Sequence, residues 1–236
     1  CEWASNEKVA AEVAAGASFA GARSFCAQKH VGLNVAADPL FTMSYIGVNA
    51  GMVIGVADDP GMHSSQNEQD SRNYAIAAKL PMLEPSDSSE CRDFTKLAYQ
   101  LSEQFDTPVL LRLSTRVSHS RSIVELEERE ERPLLPYHKD PSKNVMLPVF
   151  ATKKHVVVEK RTVALAEWAE TADINRVEDN GSDVGVIAAG SVYTYAREAL
   201  GDTVSYLKLG MVNPLPERLI RDFASRVKKL YVIEEL

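Results

Sequence analysis

Short apolar runs alternate with helical segments along the first half of the chain, and this alternation limits the folds that it can adopt. Residues 51–57 (GMVIGVA) and 108–113 (PVLLRL) contain almost no polar side chains, which predicts strands buried on both faces of a sheet. The other predicted elements of this half are a short strand at residues 81–84 and helices at residues 71–79 and from a cap at Ser86 or Asp87 to Phe105. This order predicts an α/β fold with a parallel sheet covered by helices.

A second α/β unit follows a charged, proline-rich segment. Residues 125–148 open with five glutamates in eight residues (ELEEREER) and contain four prolines, which predicts a linker or crossing arm. The elements predicted after it are a helix at 153–171, strands at 184–188, 204–208 and 230–234, and helices at 192–200 and 216–223. We therefore expect a first domain at residues 1–124, a linker and crossing helix at 125–180, and a second domain at 181–236.

The amino-terminal segment is rich in alanine. Residues 5–25 contain no proline and carry small side chains at Ala10, Ala14 and Ala17, which predicts one helix that packs closely against its neighbours. Glu7 lies in the first turn of this helix, where the helix dipole favours a carboxylate. Spacing alone therefore explains Glu7 as a structural residue.

Composition argues against several classes of function. The chain has 26 basic and 33 acidic residues and a net charge of -7, whereas nucleic-acid binding normally uses a basic surface. Residues 47–57 form the longest nearly apolar stretch, which is too short for a membrane span, and no signal peptide precedes it. We therefore expect a cytoplasmic chain without membrane association.

The three cysteines have no metal-binding spacing. Cys1, Cys26 and Cys91 are widely separated and form no CxxC motif. Neither a disulfide framework nor an iron–sulfur cluster is expected from them, and the sequence predicts no metal site in this chain.

Two polar loops follow buried strands, at the strand ends where open parallel sheets bind their ligands. They span residues 58–70 (DDPGMHSSQNEQD) and 114–122 (STRVSHSRS). Their candidate site residues are His63, Gln66, Asn67, His119 and Arg121. The residues alone leave two readings open, a functional site or a surface loop with capping side chains.

Two other features give only weak signals of function. His30 precedes an apolar run, where a single histidine is usually a satisfied core residue. Residues 190–193 (GSVY) form a strand–glycine–helix turn that could hold a phosphate at a helix amino terminus, although the pattern is not GxGxxG. The sequence contains no Walker, HExxH, GxSxG or EF-hand motif.

Several long stretches of the chain resemble one known family. They are residues 2–3 (EW), 6–10 (NEKVA), 12–18 (EVAAGAS), 29–39 (KHVGLNVAADP), 56–70 (VADDPGMHSSQNEQD), 81–87 (PMLEPSD), 116–121 (RVSHSR), 146–148 (MLP) and 207–216 (LKLGMVNPLP). In these stretches the chain resembles the alpha subunits of indolepyruvate ferredoxin oxidoreductases, within the thiamine-diphosphate-dependent 2-oxoacid:ferredoxin oxidoreductase superfamily. The resemblance extends through the whole chain.

The resemblance implies a fold and a set of site residues. Residues 1–124 would form a thiamine-enzyme pyrimidine-binding domain, and a linker would lead to a transketolase C-terminal-like α/β domain. Glu7 matches the catalytic and cofactor-binding glutamate that contacts the aminopyrimidine nitrogen, so that the exocyclic imino group can take the proton from the thiazolium carbon. His30 and Asn34 match cofactor-facing positions. The substrate or active-site loop candidates are His63, Gln66, Asn67, His119 and Arg121.

The resemblance also implies a reaction and its partners. The parent enzyme would oxidatively decarboxylate aryl-2-oxoacids such as indolepyruvate to aryl-acetyl-CoA, with coenzyme A as a substrate and reduction of ferredoxin, in anaerobic catabolism of aromatic amino acids. A beta subunit and ferredoxin would be the partners, in a homo- or hetero-oligomer.

Some motifs of the family do not occur in this sequence. A GYPGTPS-like loop, a GDG motif and a CxxCxxCxxxCP ferredoxin pattern are not found. We therefore expect an internal piece of a larger subunit, inactive alone and without the first strand–helix unit of its first domain. The diphosphate and Mg²⁺ site and the [4Fe-4S] clusters would lie elsewhere in the parent enzyme. Two alternatives stay open, a non-catalytic assembly module and a non-oxidative thiamine diphosphate decarboxylase.

Overall fold

The computed structural model describes residues 1–235 and forms two β-sheets, each covered by helices. The elements of the first half are α1 (Glu7–Phe19), β1 (Ser24–Lys29), α2 (His30–Val35), α3 (Ala37–Ile46), β2 (Met52–Ala57), α4 (Ser71–Ala78), β3 (Met82–Leu83), α5 (Ser88–Phe105), β4 (Val109–Leu113) and α6 (Thr115–His119). The elements of the second half are α7 (Pro141–Asn144), α8 (Pro148–Ala169), β5 (Arg176–Glu178), β6 (Val184–Ala189), α9 (Gly190–Leu200), β7 (Ser205–Leu209), β8 (Met211–Asn213), α10 (Glu217–Ser225) and β9 (Lys229–Ile233).

The first sheet has the order β1-β2-β4-β3-β8, and its first four strands are parallel. Side chains of β2 alternate between two cores: Ile54 packs with α1 to α4 on one face, and Val53 packs with α5 and α8 on the other. The predicted α/β fold with a parallel sheet between helices is therefore confirmed.

The second sheet has the order β5-β7-β6-β9. Strands β6, β7 and β9 are parallel, and α9 and α10 pack on opposite faces through Tyr193 and Phe223. Strand β8 was not predicted. It follows β7 after Gly210 and pairs antiparallel with β3, so the carboxyl-terminal half contributes a strand to the first sheet.

The prediction of a single helix over residues 5–25 is wrong at its carboxyl end. Helix α1 ends at Phe19, and residues 24–29 form β1, which pairs in parallel with β2. Gly21 makes the turn between them with a φ of +92°, and a Cβ there would lie 1.9 Å from the Leu135 carbonyl oxygen. Only glycine fits this turn. The boundary is hidden in the sequence because no proline separates α1 from β1, and mostly small residues continue from α1 to Ser24 at the start of β1.

The predicted linker has little regular structure. Within residues 125–148 the only regular element before α8 is the short helix α7, and most side chains there are exposed. Among residues 1–235, no helix has the length and apolar character that a membrane span requires.

Candidate functional site

Glu7 is the first residue of α1, and its side chain is half-buried. Asn6 caps the helix by accepting a hydrogen bond from the Val9 amide at 3.0 Å. The stem of Glu7 lies against α2, because a Cβ built on Gly32 would be 2.5 Å from Glu7 Cγ. Since α2 begins directly after β1, Glu7 lies near the carboxyl end of the first sheet.

His30 is fully buried at the start of α2. Its Nε2 lies 3.2 Å from the backbone oxygen of Asn67, so Nε2 is assigned the proton and donates it to that carbonyl. The other ring nitrogen, Nδ1, is buried and has no partner among the described residues. The structure thus brings His30 and Asn67 together and leaves an unpaired acceptor in the site.

Asn34 of α2 and two candidates of the loop after β2 lie at more exposed positions than His30. Asn34 is exposed and donates a hydrogen bond from Nδ2 to the Tyr74 hydroxyl of α4. His63 and Gln66 are exposed on the loop after β2, and His63 is anchored through its backbone amide, 3.2 Å from Asp59 Oδ1.

His119 and Arg121 lie at and just after the end of α6, and both are exposed. The contacts of the described chain do not join them to Glu7 or His30. Their predicted role on the substrate side stays a prediction.

Asp59 follows β2 and is buried, with 3% of its surface exposed. Its carboxylate accepts hydrogen bonds from Ser64 N at 2.8 Å, Ser65 Oγ at 2.6 Å and Thr115 Oγ1 at 2.7 Å. The hydrogen bonds from Ser65, Ser64 and Thr115 hold the pKa of Asp59 well below its usual range. Asp59 therefore joins the loop to the end of β4 as a carboxylate.

A second acidic group, Asp58, lies in a buried ionic cluster. Arg112 of β4, 1% exposed, donates from Nε to Asp58 Oδ2 and from Nη1 to Glu84 Oε1, both at 2.7 Å. Burial raises the pKa of Glu84 although Arg112 opposes this change. Burial lowers the pKa of Arg112, but the carboxylates of Glu84 and Asp58 raise it by more. The net pKa of Arg112 lies above its usual value, so the guanidinium stays charged.

The turn at the start of α9 lies close to the carboxylate of Glu84. A Cβ on Gly190, which has a φ of +56°, would lie 2.4 Å from Glu84 Oε1. Ser191 Oγ is 3.2 Å from Ser114 Oγ at the end of β4. Glu84 Oε1 thus lies beside Gly190, in the turn that the sequence suggested for a phosphate.

Sequence reasoning missed four buried charged residues at this edge of the sheets, namely Asp58, Asp59, Glu84 and Arg112. Two signals were present in the sequence. A pair of aspartates follows a fully apolar strand, and an arginine interrupts the apolar run PVLLRL. Charged residues inside or directly after such runs need partners when they are buried.

Metal ligation has no support within the described chain. No group of three or more His, Cys, Asp or Glu side chains in residues 1–235 is arranged to hold a metal ion.

The parallel α/β domain, with helices on both faces of its sheet, agrees with the fold that the family resemblance implies. The family model described as pyruvate flavodoxin/ferredoxin oxidoreductase, thiamine diphosphate binding, matches residues 3–184. The chain belongs to this family.

Curated relatives match over the whole chain. The chain is 45% identical over 240 residues to the indolepyruvate oxidoreductase subunit IorA of Archaeoglobus fulgidus, covering 100% of this chain and 38% of the relative. It is 46% identical over 241 residues to the subunit of the same name from Methanothermobacter thermautotrophicus, covering 100% and 39%. The chain therefore spans less than two fifths of the length of these relatives.

Solved structures share the fold. The 2-oxoglutarate:ferredoxin oxidoreductase from Magnetococcus marinus superposes with a TM-score of 0.73 at 17% identity, over 97% of this chain and 49% of that chain. A split-gene transketolase superposes with a TM-score of 0.58 at 17% identity, over 97% and 62%. The two likenesses confirm the predicted relation to both 2-oxoacid oxidoreductases and transketolases at the level of the fold.

Proposed function

We propose that this chain supplies the pyrimidine-contacting half of a thiamine diphosphate site in an indolepyruvate oxidoreductase. The full enzyme would oxidatively decarboxylate aryl-2-oxoacids to aryl-acetyl-CoA and reduce ferredoxin, with a beta subunit as its partner in the cytoplasm. The observation that carries the proposal is the placement of Glu7, half-buried at the head of α1 and packed on Gly32. Family membership and the names of the curated relatives support it.

The residues near Glu7 suit an aminopyrimidine ring, which presents both donors and acceptors. Glu7 would share a proton with a ring nitrogen. His30 offers Nδ1, a buried acceptor without a partner in the described residues, for an amino group. Gly32 leaves room for the Glu7 stem, since any larger residue would displace it.

Each group of this chain would have a separate role. Thiamine diphosphate supplies the carbanion chemistry of 2-oxoacid decarboxylation. Glu7 would control the proton at the ring nitrogen, and His30 with Asn34 would line the cofactor side. The loop with His63, Gln66 and Asn67, together with His119 and Arg121, would face the substrate. The same proposal includes the domain boundaries at residues 124 and 181. It also places the diphosphate, Mg²⁺ and cluster sites outside this chain.

The test uses the full-length subunit assembled with its partner. Glu7→Gln keeps the size of the side chain but removes its acidic proton, and we expect indolepyruvate-dependent, coenzyme-A-dependent reduction of an electron acceptor to fall by about 100-fold or more. Glu12→Gln is the matched control, because Glu12 lies on the same helix with 54% of its side chain exposed. Normal activity of the Glu7→Gln enzyme would refute the proposal.

A further inference from the structure

The loop between β2 and α4, residues 58–70, is held by two aspartates that act at different points. Asp58 joins the two ends of the loop, because the backbone amide of Ser71 donates a hydrogen bond to Asp58 Oδ2 at 3.1 Å. Asp58 is also an acceptor of the buried Arg112. The Asp59 carboxylate is instead turned into the loop, where it gathers the first half of the segment.

Four donors converge on Asp59. The His63 amide donates to Oδ1 at 3.2 Å, the Ser64 amide and the Ser65 hydroxyl donate to Oδ2 at 2.8 and 2.6 Å, and the Thr115 hydroxyl donates to Oδ1 at 2.7 Å. The first three belong to the loop and the fourth to α6. One carboxylate thus fixes the loop to the end of β4.

Lys29, the last residue of β1, also contacts Asp59 and the loop. Its Nζ lies 3.7 Å from Asp59 Oδ2 and donates to the Ser64 carbonyl oxygen at 3.0 Å. A carboxylate accepts stronger hydrogen bonds than the oxygen of a neutral side-chain amide. The NH₂ group of an asparagine at this position would also face the N–H and O–H donors that now bind Asp59. The negative charge of Asp59 is therefore the property that orders the loop.

The loop reaches the proposed cofactor side through its second half. The backbone oxygen of Asn67 is the acceptor for His30 Nε2. The exposed side chains of His63 and Gln66 lie on the part of the loop between Asp59 and Asn67. The position of this loop segment therefore depends on contacts at both of its ends.

We propose that Asp59 is a positioning residue, which holds residues 60–67 as a preordered wall for the 2-oxoacid substrate. This inference rests on the proposed function, and Asp59 itself contacts no reacting atom. A preordered loop avoids the entropic cost of ordering at each binding event, so its loss should appear in substrate binding before it appears in chemistry.

The test compares Asp59→Asn with Asp202→Asn in the full-length subunit assembled with its partner. Asp202 is a matched control because 79% of its side chain is exposed and it pairs only with Arg197 in the described chain. In Asp59→Asn we expect hydrogen exchange at the His63 and Ser64 amides to become at least about tenfold faster, with exchange in β2 and β4 unchanged. We expect KM for indolepyruvate to rise about tenfold or more, with kcat within a few-fold and the affinity for thiamine diphosphate unchanged.

Three results would overturn the proposal. Unchanged loop exchange would show that Asp59 does not order the loop. Faster exchange with an unchanged KM would show that the loop is not a wall of the substrate site. A parallel loss of melting temperature, cofactor affinity and activity would make Asp59 a residue of general stability.

A second variant covers the case in which Asp59→Asn does not fold. Ser65→Ala removes one donor and leaves the charge, so we expect the same pattern with smaller changes, and no change at all would count against the proposal. Failure of the proposed function gives a different result. The wild-type enzyme would then not oxidise indolepyruvate, whereas hydrogen exchange would still show whether Asp59 orders the loop.

Discussion

The buried arginine of β4 gives the most quantitative prediction for this fold. Arg112 is 1% exposed and donates at 2.7 Å to both Asp58 and Glu84. Arg112→Met preserves much of the side-chain volume but leaves two carboxylates in the interior without their cation. Removing one partner of a buried ion pair costs about 3–5 kcal/mol, and we expect the free energy of unfolding at pH 7 to fall by this amount.

The loss should depend on pH in a defined direction. Burial already raises the pKa of Glu84 with Arg112 present, and the pKa of Glu84 in the variant should rise further. A carboxyl group whose pKa is higher in the folded state than in the unfolded state opposes folding once the pH exceeds the unfolded value, about 4.3 for glutamate. The difference between wild type and Arg112→Met should therefore narrow as the pH falls from 7 towards 4.

Urea unfolding followed by circular dichroism measures these values. Glu84→Gln should destabilise the wild type but have a smaller or opposite effect in the Arg112→Met background, with a coupling energy of about 1–3 kcal/mol. Arg221→Met is the control, because the pair of Arg221 with Glu217 is exposed and should contribute less than about 1 kcal/mol. A change below about 1 kcal/mol for Arg112→Met, or an identical effect of Glu84→Gln in both backgrounds, would refute this reasoning.

Three further predictions follow from local packing. Gly32→Ala should weaken thiamine diphosphate binding in the full-length complex by displacing Glu7, whereas Gly16→Ala, where a new Cβ meets nothing within 4 Å, should stabilise α1 by about 0.5–1 kcal/mol in thermal unfolding. Cys91, whose pKa is raised by burial to about 11, should react with iodoacetamide at pH 8 far more slowly than the exposed Cys1, as peptide mass spectrometry would show. Arg161→Met should lower the free energy of unfolding by about 2–4 kcal/mol, because it leaves the Ser44 and Asp106 carbonyl oxygens without their buried donor. Equal effects of the two glycine variants, equal labelling of the two thiols or an unchanged stability of Arg161→Met would contradict these accounts.

The sequence predicted the elements whose signal is local. Strands β2 and β4 are buried on both faces, and Asp87 caps α5 by accepting from the Glu90 amide at 2.9 Å, as expected. Strand β1 could not be separated from α1, because no proline lies between them and the first residues of β1 also suit a helix. Strand β8 has only three residues and is stabilised by its pairing with β3, which no local pattern shows.

The candidate site could be predicted only in part for the same reason. The resemblance pointed to Glu7 and His30, and the structure places both at the carboxyl end of β1. The partners of Asp59 and Arg112 come from segments far apart in the chain, so their roles depend on tertiary contacts. Sequence alone showed that these charges follow or interrupt apolar runs, but not which groups neutralise them.

The central claim is that Glu7 controls a proton of bound thiamine diphosphate, and one rate measures this directly. In the full-length complex, quenched-flow NMR can follow exchange of the thiazolium C2 proton for deuterium in the wild type, Glu7→Gln and Glu12→Gln. We expect Glu7→Gln to slow this exchange by about 100-fold or more, with cofactor affinity within a few-fold and Glu12→Gln unchanged. Wild-type exchange rates in Glu7→Gln, measured with the cofactor fully bound, would contradict the account.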